Sequence, residues 1–153
     1  MKFSFYTEDV TKLSCGLLGI LVFEEQIGEG AIFKAIDGKL EGLLGRLVTD
    51  EQFKGKKGQA LSLHTHGRVG PQRLLLVGGG ARKDLQPADL RGFAARVVKA
   101  GGAAQASDVA ATLPYLEGGA SPTTAERAAQ FLAEGAILGA YKFDKYLTGD
   151  KKK

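Results

Sequence analysis

Hydrophobic and polar positions along the chain fall into a small number of readable stretches. Lys2 to Glu8 alternates Phe3 and Phe5 with Lys2, Ser4 and Tyr6, the pattern of a half-buried strand. Gly16 to Phe23, GLLGILVF, is apolar throughout and stops at Glu24-Glu25, as expected of a strand covered on both faces of a sheet. Ile32, Ile36, Leu40, Leu43, Leu44 and Leu47 then recur at helical spacing. Gly38 and Gly42 interrupt them, which predicts one weak helix or two short ones.

A turn-rich connector, Phe53-Lys54-Gly55-Lys56-Lys57-Gly58, leads to a strand at Ala60 to Leu63 and a loop at Gly67 to Pro71. Arg73 to Val77, RLLLV, is the clearest strand and is expected to stop at Gly78-Gly79-Gly80. Leu90, Phe93, Ala94 and Val97 form a helical stripe, with Pro87 near its start and Gly101-Gly102 expected past its end. Ala104 to Thr112 reads as a further strand. Thr123 and Glu126 have capping-box spacing, and helical character extends from there to about Tyr146. Within it, Gly135, Ala136, Gly139 and Ala140 form a band of small side chains that would let the helix lie close against a sheet or another helix. Strands alternating with helices predict an α/β domain whose largely parallel sheet carries helices on its faces. Neither a repeat nor a long linker divides it, so one domain is expected.

Composition narrows the class. The 153 residues suit one domain with a real core, and 44% apolar with 25% charged residues is an ordinary globular balance. No apolar run approaches the ~18 residues of a membrane span, and the first residues lack the apolar core of a secretory signal. Cys15, the single cysteine, excludes an intrachain disulfide or a cysteine-based zinc site, and a cytoplasmic home is the expectation. The net charge of +4 is local: without the six lysines Lys54, Lys56, Lys57, Lys151, Lys152 and Lys153 it would be −2. That distribution argues against a basic nucleic-acid face.

Candidate chemistry is sparse. Gly78-Gly79-Gly80 after a strand could cradle a phosphate, but it matches neither nucleotide-binding glycine motif, and Ala81 to Gln86 separate it from the next helix. A plain strand exit is the simpler reading. His64 and His66 on a strand would project to one side, yet a catalytic zinc needs a third ligand, and an exposed pair at a strand end is preferred. Cys15 has no activating partner, Lys12 being insufficient. The two lysine clusters could meet phosphates but lack interleaved aromatics. Thr123-Thr124-Ala125-Glu126-Arg127 is read as a helix start.

Particular segments resemble one family. Phe23-Glu24 ending an apolar strand, Phe53-Lys54-Gly55-Lys56-Lys57-Gly58-Gln59, and Arg73 to Gly78 followed by Gly80 resemble early segments of leucyl aminopeptidases. Ala133-Glu134-Gly135-Ala136-Ile137-Leu138-Gly139-Ala140-Tyr141-Lys142-Phe143-Asp144-Lys145-Tyr146 is similar to the family's A-E-G-A-x-L-G-x-Y-x-F-D-x-Y. The resemblance runs from about Lys2 to Lys153. It implies the N-terminal, non-catalytic domain: a macro-like three-layer α/β/α fold with a mixed, largely parallel sheet of five to six strands. Residues 1–147 would form that domain, and 148–153 would begin the passage to a catalytic half. That half would bind two divalent ions, manganese or zinc, and release N-terminal residues from peptides in a homohexamer.

The signature Asn-Thr-Asp-Ala-Glu-Gly-Arg, which supplies metal ligands in that half, is not matched at Thr123 to Arg127. The resemblance therefore assigns no catalytic, cofactor-binding or metal residue to this chain. Its implied role is oligomer assembly and positioning or restricting access, with Tyr141, Phe143 and Tyr146 packing near the junction. Two other readings go with it: a macro-like module holding ADP-ribose or a nucleotide near Gly78 to Gly80, and DNA contact through the lysines, since some bacterial members bind DNA.

Overall fold

The computed structural model describes residues 9–27, 31–112 and 129–139. Its elements in order are β1 (Cys15–Phe23), α1 (Ala31–Lys39), α2 (Leu43–Asp50), β2 (Ala60–His64), β3 (Pro71–Gly80), α3 (Pro87–Ala103) and β4 (Val109–Ala111). A final helix, α4, covers residues 129–139.

The strands form one mixed sheet in the order β2-β3-β1-β4. β1 is central and runs parallel to both β3 and β4, while β2 is antiparallel to β3. Leu17 sits opposite Arg73 on one side and Val109 on the other. Helices cover both faces, which is why GLLGILVF shows no polar alternation. Leu18, Ile20 and Val22 of β1, with Leu74 and Leu76 of β3, pack against Phe33 and Ile36 of α1, Leu40 just after it, and Leu44 and Val48 of α2. Leu17, Leu21 and Phe23, with Leu75 and Val77, face Leu90, Phe93, Ala94 and Val97 of α3 and Phe131 and Leu132 of α4. Each side chain buried this fully contributes about 1.5–3 kcal/mol against leaving it in water, and the two-faced strand collects that gain at nearly every position. The result is the three-layer α/β/α arrangement expected from the sequence.

One open choice in the sequence reading is decided, and three differences from it have physical causes. First, of the one weak or two short helices expected over Ile32–Leu47, the two short ones form. The break lies at Glu41 and Gly42, whose φ angles of 57° and 82° are left-handed, while Gly38 stays inside α1. Asp37 spans the break, its Oδ1 accepting from the Gly45 N–H at 3.1 Å. Second, β3 continues through the three glycines to Gly80, because Val22 and Phe23 of β1 pair with Gly78 and Gly80 across a register shift. Third, Gly101 and Gly102 lie within α3, not after it. A Cβ on Gly101 would collide with the Val109 side chain, so the glycine lets α3 cross close over β4. Fourth, β4 is only Val109–Ala111, shorter than Ala104 to Thr112, because Ala104 and Gln105 are spent closing α3, with Gln105 at φ 59°.

The sheet has four strands among the described residues, against the five to six expected. The predicted strand at Lys2 to Glu8, the capping pair Thr123 and Glu126, and Tyr141 to Tyr146 lie outside the described residues. Among the described residues, no helix is long and apolar enough to cross a membrane.

Candidate functional site

At the C-terminal end of β1 and β3, the lysine-rich connector folds back over the glycines of β3. A cleft of about 240 Å³ lies there, bordered by Lys57, Gly58, Gly78, Gly79, Asp89 and Arg96. The Gly78 N–H donates to the Gln59 carbonyl at 2.9 Å and the Gly80 N–H to the Gly55 carbonyl at 2.7 Å. Two of the three glycine N–H groups that could face a phosphate are therefore taken by the chain itself. A Cβ on Gly78 would collide with the Lys56 carbonyl, and one on Gly55, at φ 78°, would lie 3.1 Å from the Phe23 carbonyl. The connector is held by its backbone and by Gln59, whose Oε1 accepts from the N–H groups of Lys54 (2.9 Å) and Lys56 (3.2 Å). Phe53 is buried beneath it. Lys54 and Lys56 point into solvent, whereas Lys57 Nζ lies 3.2 Å from Asp89 Oδ2 at the start of α3. The F-K-G-K-K-G segment thus closes the sheet end.

At the opposite end, a cavity of about 300 Å³ is bordered by Cys15, Gly16, Arg73 and Asp108. Asp108 Oδ1 accepts from the Gly16 N–H at 2.9 Å, tying the start of β1 to the segment before β4. Cys15 is buried, its Sγ 3.6 Å from the Leu17 carbonyl. Burial, reinforced by the Asp108 carboxylate, pushes the thiol up to about 11. It is protonated at neutral pH and poorly suited to attack.

His64 ends β2, but His66 lies beyond the strand in a left-handed turn at φ 54°. The two rings still meet, their centroids 4.6 Å apart, and both residues are exposed. The His66 N–H donates to His64 Nδ1 at 2.9 Å, which assigns the neutral His64 proton to Nε2 and leaves no free lone pair on that ring for a metal. Among the described residues no three histidine, cysteine, aspartate or glutamate side chains gather as a metal set would require. The two divalent ions implied by the resemblance do not fit these residues.

Outside the sheet, α3 and α4 meet at close range. A Cβ on Gly135 would collide with the Arg91 carbonyl, and one on Gly139 would lie 2.8 Å from the Ala95 Cα. Within the small-residue band, Gly135 and Gly139 therefore pack against a helix and match Arg91 and Ala95 in the same direction along both axes, while Ala140 lies outside the described residues. Arg91 Nε lies 2.8 Å from Glu134 Oε1, and Gln130 Nε2 donates to Glu134 Oε2 at 3.2 Å. Arg91 also stands over the Phe131 ring. Sequence reasoning finds the glycines but misses Arg91 and Glu134, which are 43 residues apart and carry no local signal.

Residues 20–150 match the family model described as "Cytosol aminopeptidase family, N-terminal domain". This chain belongs to that family. Similar curated proteins include a probable cytosol aminopeptidase of Geobacter sp. (strain M21), 38% identical over 130 residues, covering 85% of this chain and 25% of the relative. Another from Alkaliphilus metalliredigens is 33% identical over 152 residues, covering 99% of this chain and 30% of the relative. The chloroplastic leucine aminopeptidase 2 of Arabidopsis thaliana is 31% identical over 159 residues, covering 99% and 27%. A solved mutant of tomato leucine aminopeptidase superposes with a TM-score of 0.73 at 24% identity, covering 88% of this chain and 27% of that one, a likeness of fold. The chain thus spans 25–30% of the length of these curated relatives. In this N-terminal domain the F-K-G-K-K-G segment and the α4 glycines, which carried the resemblance, both prove to be sites of close backbone packing.

Proposed function

We propose that this chain is the non-catalytic N-terminal domain of a metal-dependent exopeptidase that releases N-terminal residues from peptides in the cytoplasm. The observation that carries this reading is the share of the relatives it matches: proteins named as aminopeptidases align with it over little more than a quarter of their own length. Residues 1–147 constitute the domain and 148–153 open the passage to the catalytic half. Two divalent ions, manganese or zinc, belong to that half, where they would polarise the scissile carbonyl and activate water. The domain's own work is to help assemble a homohexamer and to position the catalytic half or restrict access to it. Its tight core on both faces of the sheet and its closed sheet end support a scaffolding role.

The test is direct. The purified chain, supplied with manganese or zinc and a leucine amide, is expected to show no turnover, while the full-length polypeptide hydrolyses the same substrate. Metal-dependent turnover by the chain alone, or none by the full-length protein, overturns the reading.

A further inference from the structure

Among the described residues only three large hydrophobic side chains are exposed, and two of them are neighbours on α4: Ile137 at 52% and Leu138 at 53%. The inner side of α4 is already committed. Phe131 and Leu132 enter the core beneath α3, and Gly135 and Gly139 touch the backbone of α3. Residues 131–139 read FLAEGAILG, with one charge in nine positions, so the helix is apolar almost all the way round. A helix of that composition is ordinarily covered on every side, yet here one side is open. Glu134, the single charge, is turned to Arg91 of α3 and does not interrupt the ridge.

We propose that the Ile137–Leu138 ridge is the docking surface for the catalytic half of the same polypeptide. This rests on the reading of the chain as an aminopeptidase N-terminal domain. The occupant follows from the lengths: more than two thirds of each relative is not accounted for by this chain, and the family model places this domain at the N-terminal end. The remaining polypeptide therefore follows on the C-terminal side of the matched region, and α4 is the last described element before it. The glycine contacts with α3 hold the ridge rigidly, so it offers a preformed apolar surface at the point where the catalytic half begins.

The experiment compares the double variant Ile137→Asp/Leu138→Asp with the parent sequence, both as this chain and in the full-length polypeptide. As this chain, the variant keeps its thermal midpoint, and parent and variant both sediment as monomers. In the full-length protein the variant loses protection of the α4 amides against hydrogen exchange and is cut between the halves by protease about tenfold faster or more, the scale expected for central interface residues. Three results overturn the proposal. The variant chain melts well below the parent, meaning the ridge is covered within the domain. The parent chain forms a dimer that the variant dissolves, meaning a second copy is the occupant. Or the full-length variant matches the parent in exchange and cleavage. In the last case, leucine amide hydrolysis by the full-length parent leaves the proposed function standing while the docking surface falls; absent hydrolysis removes the function itself.

Discussion

Arg91 of α3 holds Glu134 of α4, with Nε and Oε1 2.8 Å apart, while its guanidinium carbon lies 4.9 Å from the centre of the Phe131 ring. One side chain therefore fixes α4 along two directions, by charge and by stacking. The arginine's hydrogen bond, with a second from Gln130, holds the Glu134 carboxyl below its ordinary value of 4.5. A depressed folded value means the stabilisation is fully present above the unfolded value and is lost as pH falls through the folded one. Glu134→Gln is expected to lower the thermal midpoint near neutral pH, with the difference from the parent shrinking as pH is taken below 4.5. Melting curves across that range check it. A constant difference at every pH contradicts the ion-pair account.

Glycine-to-alanine substitutions should split by location. In an open helix position alanine gains about 0.5–1 kcal/mol over glycine. At Gly38 of α1 and Gly92 of α3 an added methyl group would have nothing within 4 Å, so Gly38→Ala and Gly92→Ala should stabilise by that amount. Gly135→Ala meets the Arg91 backbone and should destabilise by about 1–3 kcal/mol despite its better helix propensity. Denaturant midpoints with unchanged slopes separate these outcomes.

The F-K-G-K-K-G connector should depend on its glycines more than on its charges. Gly78→Ala forces the Lys56 carbonyl away and is expected to cost about 1–3 kcal/mol. Lys54→Ala and Lys56→Ala, with side chains in solvent, should stay within about 0.5 kcal/mol of the parent. With the Gly78 and Gly80 N–H groups already bonded, calorimetric titration with ADP-ribose should release no heat at millimolar ligand. Heat of binding that disappears in Gly78→Ala would restore a ligand role for this end of the sheet.

Cys15 should be nearly inert in the folded protein. With its thiol pushed from an ordinary 9.0 up to about 11, thiolate is about a hundredfold scarcer in the fold near neutral pH. Iodoacetamide labelling should be slower by roughly that factor in buffer than in denaturant. Equal rates would place the thiol at the surface.

The parts of the fold legible in the sequence are those set by local pattern. Leu17 to Phe23 announces a strand covered on both faces because both sets of alternate residues are apolar, and the Leu90–Val97 stripe announces α3 because its spacing follows the helix turn. What the pattern hides are the consequences of distant neighbours. Gly101 reads as a stop signal until Val109 is seen against it, and Gly78 to Gly80 read as an exit until Val22, Phe23, Gly55 and Gln59 are seen to pair with them. His66 reads as a strand residue because spacing cannot reveal its left-handed turn. At the interhelical contact the glycines are legible as small residues, but the choice of α3 over the sheet as their partner depends on Arg91 and Ala95, far upstream.

The central place of β1 has a consequence for synthesis. Leu17 must find Arg73 on one flank and Val109 on the other. At about 5–20 residues per second the ribosome needs several seconds to deliver both. Throughout that interval the most apolar of the described strands has at least one parallel neighbour still missing, first both and then β4 alone. The nascent chain is therefore most exposed to aggregation, and most dependent on chaperones, until β4 leaves the exit tunnel.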